Sequence, residues 1–148
     1  MGTDPERSVR IEEIGPEAAD AWHAVLSGVW PMNRGLGAWY ARRMTLPGWR
    51  HYLALMDGRP AAAAATYVKG DVARLAEAVT LSHYRRRGIH AALIRRRSID
   101  GIEAGVRLFT TETNPPLPRM RLVSYRNMLR AGFQLAYVRP ACIWAADA

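Results

Sequence analysis

Residues 73–100 place three consecutive arginines and a glycine between two apolar segments. Arg85, Arg86 and Arg87 stand directly before Gly88, and the residues that follow are predominantly apolar or helix-forming. A glycine-containing loop that runs into a helix start presents backbone N–H groups without intrahelical partners at the positive end of the helix dipole. Arginine side chains add full positive charge and bind phosphate oxygens in a fork. This order of residue types therefore predicts a diphosphate-binding loop.

The flanking segments predict a strand before the loop and a helix after it. Residues 72–81 are apolar apart from Arg74 and Glu77, which favours a buried strand. After Gly88, apolar residues recur at spacings of three, four and seven, which places one apolar stripe along a helix. We therefore expect the arginines to lie in a tight turn between a central strand and a helix.

The segment Arg85-x-x-Gly88-x-His90 resembles the Gln/Arg-x-x-Gly-x-Gly/Ala loop of the GCN5-related N-acetyltransferases, the GNAT superfamily. Residues 124–133 are similar to the helix that ends in Gly-Phe in the same proteins, and the interval between the two segments also fits. The resemblance covers roughly residues 72–140. It implies an α/β (α+β) GNAT fold, whose central mixed, mostly antiparallel sheet has about six to seven strands, with about four helices and a splay at the cofactor cleft.

The resemblance also implies an activity, which is transfer of an acetyl or other acyl group from acetyl-CoA to a primary amine by direct attack in a ternary complex. In the family, the end of the central strand pairs with the pantetheine arm and the loop cradles the pyrophosphate. The matching strand positions here are Ala78, Val79 and Thr80, and the loop positions are Arg85, Arg86, Arg87, Gly88, Ile89 and His90. His90 departs from the usual Gly or Ala. On the Gly-Phe helix, Ser124 and Asn127 are further candidates for cofactor contact.

Acidic residues near the central strand are the candidates for proton transfer. Because the attacking amine must be neutral, a carboxylate acting through water is a suitable base. Glu77 is the acidic residue of the strand and our first candidate, and Glu112, near the end of the next strand, is the second. The alternative for Glu77 is a surface carboxylate. Many GNAT enzymes place a proton-donating tyrosine where this sequence has Met128, which cannot donate, so a tyrosine acid is not expected.

The acceptor is expected beside the segment between the first two helices, because that segment borders the acceptor site in GNAT folds. By this resemblance Trp30, Asn33 and Trp39 are candidate contacts for a small-molecule or peptide amine. The alternative is that the tryptophans pack in the core.

The composition favours one soluble domain. The chain has 148 residues, 49% of them hydrophobic, and a lone cysteine, Cys142, so an intrachain disulfide is excluded. No apolar run approaches the length of a membrane span, and the N-terminal residues lack the apolar region of a signal peptide, so we expect a cytoplasmic protein without a membrane partner. A metal is not expected either. A homodimer is possible.

The net charge of +8 is concentrated in the second half of the chain. Residues 1–74 carry 9 basic and 8 acidic side chains, whereas residues 75–148 carry 12 and 5. A polyanionic cofactor explains this asymmetry, and so would nucleic acid. Basic and aromatic residues are not interleaved as a stacking surface requires, so nucleic acid is not expected. The other alternative is a GNAT-fold protein that senses acyl-CoA without turnover.

The remaining elements follow from periodicity and turn residues, and they complete a single domain over residues 1–148. Loops are expected at 30–37, 101–105 and 114–118, and a hairpin turn at Asp57-Gly58. The expected strands are 9–14, 51–56, 60–68, 106–113, 133–138 and 141–145, and the further helices are 16–29, 38–46 and 122–131.

Overall fold

The structure of the chain is a computed structural model that describes residues 9–31, 34–114, 122–140 and 142. Within these ranges the strands are β1 (Val9–Ile14), β2 (Trp49–Met56), β3 (Arg59–Lys69), β4 (Val72–Thr80) and β5 (Leu108–Thr111). The α-helices are α1 (Ala19–Ser27), α2 (Arg34–Arg43), α3 (Ile89–Glu103) and α4 (Val123–Arg130), and short 3-10 turns cover Pro16–Ala18 and Ser82–Tyr84. The described residues form two compact units, one up to Glu112 and one from Thr113 onward.

The first unit is built on a mixed sheet in which the strands lie in chain order. β1 to β4 are antiparallel neighbours, and β5 joins β4 in parallel after the crossover through α3. The hairpin between β2 and β3 turns at Asp57 and Gly58, whose φ angles of 52° and 74° suit the tight turn predicted there. The predicted strand, loop and helix over residues 72–100 are confirmed as β4, the turn after it and α3.

Helices cover both faces of the sheet. One apolar cluster lies under α1 and α2 around Trp22, Leu26 and Leu53, and a second lies under α3 around Tyr52 and Leu93. The five alanines at 61–65 are fully buried in β3 between these layers, although alanine favours helices. Burial on both faces outweighs that propensity because small side chains let the helices approach the strand.

Three predicted helix boundaries are wrong, two of them because glycines lie inside helices. α2 begins at Arg34 where a loop to residue 37 was expected, and it ends at Arg43 rather than at residue 46. Gly37 lies on this helix against the His23 ring, with 3.4 Å from the ring to the position of an added Cβ. α3 likewise continues through Gly101, beside the Phe109 ring. Gly101 permits close packing, because an added Cβ would lie 2.7 Å from the Phe109 ring, whereas the distance at Gly37 is an ordinary contact.

The second unit contains α4, and its helix ends at Gly132 as predicted, with a φ of 94°. The strand predicted at 133–138 is not found, and the one at 141–145 lies outside the described residues apart from Cys142. The expected six to seven strands are therefore not confirmed: the described sheet has five. Apolar residues at 133–138 favour a strand, but a strand also needs a paired neighbour, and Leu135 and Tyr137 are 57% and 73% exposed.

The described helices are all too short or too polar to cross a membrane. The prediction of a single domain over residues 1–148 stays a prediction.

Candidate active site

One edge of β4 is open where its parallel neighbour ends. β4 pairs with β5 only over its first four residues, up to Leu75. Beyond Leu75 the strand continues to Thr80 paired with β3 alone, and no described residue pairs with its other edge. Such an edge offers peptide N–H and C=O groups to an extended ligand, which then binds like an added strand. This open stretch contains the three predicted strand positions, Ala78, Val79 and Thr80.

A β-bulge at the start of the open edge is held by a buried arginine. The register between β3 and β4 shifts between Ala64 and Thr66. Arg97 of α3 is 1% exposed, and its Nη1 donates to the carbonyl oxygens of Ala65 and Ala76 at 3.0 and 3.1 Å. Its Nη2 has no hydrogen-bond partner among the described residues. Burial lowers the pKa of Arg97 to about 10, so the guanidinium remains charged at neutral pH.

The loop after β4 passes twice through left-handed backbone. Arg86 has a φ of 62°, and Gly88, directly before α3, has a φ of 74°. Glycine adopts this conformation without the strain that a Cβ would introduce. No described side chain caps the start of α3, and there is open space where a Cβ on Gly88 would lie. The side chain of Ile89 is buried in the core, so its backbone N–H is the group left for a ligand.

The loop arginines are exposed, and their charge is not neutralised within the described ranges. Arg85 Nε donates to the carbonyl oxygen of Thr80 at 3.2 Å, and the Arg87 guanidinium lies 5.9 Å from the centre of the Tyr84 ring. None of the ion pairs between described residues involves these two arginines or Arg86. The loop is therefore electropositive and open to an anion.

His90, in the first turn of α3, is an uncharged imidazole at neutral pH. Burial, and to a smaller extent the charge of Arg97, lowers the pKa of His90 to about 4. At the position where the resemblance expects Gly or Ala, the side chain can therefore offer a hydrogen bond but not a positive charge.

The carboxylate of Glu77 is held by a second buried arginine. Arg43, at the end of α2, donates from Nη1 to Oε1 of Glu77 at 2.8 Å and from Nη2 to Oε2 at 3.0 Å. The Arg43 side chain is 3% exposed and the Glu77 side chain 22%. Two charge-assisted hydrogen bonds fix the position and the plane of the carboxylate. Glu77 is thus neither a freely solvated surface carboxylate nor an unpaired base.

Arg43 is also enclosed by a histidine and by aromatic rings. Its Nε and Nη2 lie 3.2 and 3.1 Å from Nε2 of His51. Because a guanidinium only donates, Nε2 of His51 accepts and Nδ1 carries the proton. Burial, followed by the charge of Arg43, lowers the pKa of His51 to about 4, so this ring is neutral. The guanidinium carbon lies 4.1 to 5.6 Å from the ring centres of Trp49, Tyr40, Trp39 and Trp22.

The sequence analysis missed Arg43, His51 and Arg97. Arg97 occurs four residues after Leu93 on the apolar stripe of α3, and a charged residue in such a stripe is a detectable signal. Arg43 and His51 lie among closely spaced tryptophans and tyrosines, but the sequence alone does not show which carboxylate an arginine meets.

The other predicted catalytic and acceptor residues lie after β5, on α2 and after α1. Glu112, just after β5, is exposed and forms an ion pair with Arg74 at 3.5 Å. Trp39 is 52% exposed and lines a cavity of about 380 Å³ beside α2. Trp30, after α1, is 39% exposed and is not among the residues that line this cavity. Asn33 lies outside the described residues.

The candidates of the second unit lie on α4. Asn127 and Ser124 are both on this helix, with Ser124 exposed, and Met128 is 5% exposed on the buried side of the same helix. Their role at the cofactor stays a prediction.

Comparison with known proteins places the fold. No protein-family model matches the sequence, and no curated protein matches it. Among solved structures, AAC(6')-Iy in complex with the bisubstrate analogue CoA-S-monomethyl-acetylneamine superposes with a TM-score of 0.75 at 18% identity, over 91% of this chain and 99% of that chain. The aminoglycoside 6'-N-acetyltransferase AAC(6')-Ih from Acinetobacter baumannii gives 0.74 at 18% identity, over 95% and 100%.

A ribosomal-protein-alanine N-acetyltransferase from Brucella melitensis biovar Abortus 2308 gives a TM-score of 0.76 at 12% identity, over 93% of this chain and 100% of that chain. The likeness at these identities concerns the fold. The chain therefore has the GNAT fold, and the resemblance found in the arginine loop is confirmed at that level.

Proposed function

We propose that this protein is an acetyl-CoA-dependent N-acetyltransferase that acts on a primary amine. The observation that carries the proposal is the continuous path from the open edge of β4, through the exposed arginine loop, to the uncapped start of α3. A strand-like edge suits the amides of a pantetheine arm, and the loop with the helix start suits a diphosphate.

The residues present fit this cofactor. The backbone of Ala78 and Thr80 would hold the pantetheine arm, and the N–H groups after Gly88 would hold the diphosphate together with the loop arginines. The open space at Gly88 leaves room for phosphate oxygens close to the backbone. When bound, acetyl-CoA supplies an acyl group activated as a thioester.

Proton transfer is assigned to Glu77 acting through water. Arg43 occupies one direction at each carboxylate oxygen and leaves further lone pairs for a water molecule. The exposed 22% of the Glu77 side chain gives that water access. Glu112 is the second candidate for the base. Because Met128 cannot donate a proton, the CoA sulfur leaves as an unprotonated thiolate. Positioning of the two reactants then contributes much of the rate enhancement.

The binding test replaces Gly88 by valine and measures acetyl-CoA affinity by calorimetry. We expect at least about a tenfold loss, since a β-branched residue is strained at φ 74° and occupies the space above the loop. Gly105→Val is the matched control, because Gly105 has a φ of 89° at the opposite end of the same helix. Equal affinities for the parent and Gly88→Val would show that the loop does not bind the cofactor.

The activity test measures release of free CoA thiol with a panel of primary amines. Turnover of at least one amine supports the transferase. Tight acyl-CoA binding with no turnover across a broad panel would favour the non-catalytic sensor. Strongly salt-dependent DNA binding without CoA affinity would favour a nucleic-acid-binding module.

A further inference from the structure

The cavity beside α2 shares one residue, Arg43, with the surroundings of the candidate base. It has a volume of about 380 Å³ and is lined by Trp39, Arg42, Arg43, Leu46 and Trp49. Arg43 connects it to the site, because the same guanidinium that contributes to the cavity wall binds both oxygens of Glu77 on β4. A volume of this size lies in the range of small-molecule sites. An amine bound in the cavity would therefore lie across the Arg43 guanidinium from the residue assigned to proton transfer.

The wall of this cavity is basic and aromatic. Its lining residues include two arginines, Arg42 and Arg43, and no acidic residue. The charge of Arg43 is balanced by Glu77, but no described residue forms an ion pair with Arg42, which is exposed at the cavity. Trp39 and Trp49 add two indole rings to the lining, and the Arg43 guanidinium covers one face of Trp49 at 4.1 Å. The wall thus offers an unbalanced positive charge beside flat apolar surfaces.

This chemistry does not suit a polycationic acceptor. Six of the solved structures found in the comparison are named as aminoglycoside acetyltransferases, and aminoglycosides carry several ammonium groups. A second ammonium group held at this wall would face Arg42, and the residues that line the wall include no carboxylate to bind it. Like charges in a partly buried site repel, and the site would lose affinity for such a ligand.

We propose that the acceptor is a small aromatic primary amine that also carries a carboxylate. Its ring stacks on Trp39 and Trp49, its carboxylate pairs with Arg42, and its amine lies toward Glu77. This inference rests on the proposed acetyl transfer and specifies which amines that reaction uses. In the reaction the amine nitrogen forms the bond to the acetyl carbon, the thioester C–S bond breaks, CoA leaves as the thiolate, and the amine proton passes to Glu77 through water.

The test compares amines that differ only in charge. 4-(Aminomethyl)benzoate, benzylamine and p-xylylenediamine share one ring and one aminomethyl group, and they end in an anion, a hydrogen and a second cation. Phenylalanine and phenethylamine form a second pair, and neamine represents a polycation. We expect kcat/KM for the carboxylate-bearing member to exceed that of its neutral partner by about tenfold or more, with the cations lowest.

Charge reversal at Arg42 tests the assignment of the wall. In Arg42→Glu the preference for 4-(aminomethyl)benzoate over p-xylylenediamine should fall by about tenfold or more, or invert. Arg95→Glu is the matched control, since it makes the same charge change at an exposed position of α3, on the opposite face of the sheet. That control should retain the parent preference.

The outcomes separate this inference from the proposed function. Faster turnover of the neutral or cationic amines, or an unchanged preference in Arg42→Glu, overturns the inference while leaving acetyl transfer intact. Absence of both acetyl-CoA binding and thiol release overturns the proposed function. When turnover is slow, calorimetric titration of the same amines into the CoA-saturated protein gives the ranking directly, and tighter binding of p-xylylenediamine than of 4-(aminomethyl)benzoate contradicts the inference.

Discussion

Three kinds of partner surround the buried guanidinium of Arg43. Glu77 supplies the opposite charge, the neutral ring of His51 supplies an acceptor, and aromatic faces supply a polarizable enclosure. Removing one partner of a buried ion pair leaves an uncompensated charge, which costs more than the pair itself contributes. Substitutions at Glu77 are therefore expected to have a structural effect beside the proposed catalytic one, and an experiment must separate the two.

Glu77→Gln should lower kcat/KM by roughly ten- to a thousandfold at neutral pH, with recovery as pH rises and more of the amine is neutral. Glutamine retains one oxygen for Arg43, so most of the fold is kept, and urea unfolding checks this. The measurement is a pH–rate profile with the most active amine of the panel. Glu112→Gln is the control. A profile lowered equally at every pH indicates a structural role for Glu77, and loss in Glu112→Gln alone moves the base to Glu112.

His51 should make the fold sensitive to acid. Burial and Arg43 hold the pKa of His51 at about 4 in the folded state, against 6.5 in the unfolded chain. Below pH 6.5 the unfolded state therefore binds a proton that the folded state does not. The stabilisation is complete above pH 6.5, and about 3 kcal/mol of it is lost as pH falls toward 4.

Urea unfolding between pH 7.5 and 4.5 measures this loss for the parent and for His51→Gln. Glutamine can still accept from Arg43 but does not titrate, so its curve should be flatter. His83→Gln, at an exposed position, serves as the control. The same acid loss in the parent and in His51→Gln would exclude His51 as the cause, with His90 remaining as the other histidine whose pKa is lowered.

At the scale of elements, the sequence predicted the segments whose local pattern and packing agree. β4, the arginine loop and α3 were predicted because apolar runs, Gly88 and helical spacing all indicate the same structure. The N-terminus of α2 was not predicted, since Gly35 and Gly37 normally interrupt helices. The Arg43–Glu77 pair joins residues 34 positions apart, and no local pattern reports such a contact.

The turn between α2 and β2 positions Trp49, and Gly48 is the residue that permits it. Gly48 has a φ of 82°, its carbonyl oxygen accepts from the N–H of Val68 at 2.8 Å, and an added Cβ would collide with the Val68 carbonyl. Gly48→Ala should therefore lower the free energy of unfolding by about 2 kcal/mol or more, from left-handed strain plus the collision.

Gly70→Ala separates the two causes. Gly70 has a φ of 60° with open space around an added Cβ, so its substitution should cost only the strain, about 1 kcal/mol. Urea unfolding of both variants measures the difference. Equal losses would show that the turn at Gly48 relaxes away from Val68, and that its geometry does not depend on glycine for space.

At the scale of the whole molecule, positive charge is the property most directly linked to the proposed cofactor. The chain has a net charge of +8, and the half that contains the arginine loop holds most of the excess. A general positive field attracts any polyanion and is screened by salt, whereas a direct contact recognises a particular phosphate. These two contributions differ in how they depend on ligand structure and on ionic strength.

Replacing both Arg86 and Arg87 by alanine should weaken CoA binding by about ten- to a hundredfold and reduce its salt dependence, because two exposed cations are lost from the loop. Arg95→Ala with Arg107→Ala removes the same charge from exposed positions elsewhere in the first unit and should have a small effect.

Calorimetry with CoA and with dephospho-CoA, at low and high salt, separates the contributions. A smaller loss for dephospho-CoA assigns an arginine to the 3′-phosphate, and equal losses assign both to the diphosphate. Equal weakening by the control pair would mean that the general field, and not the loop, determines the affinity.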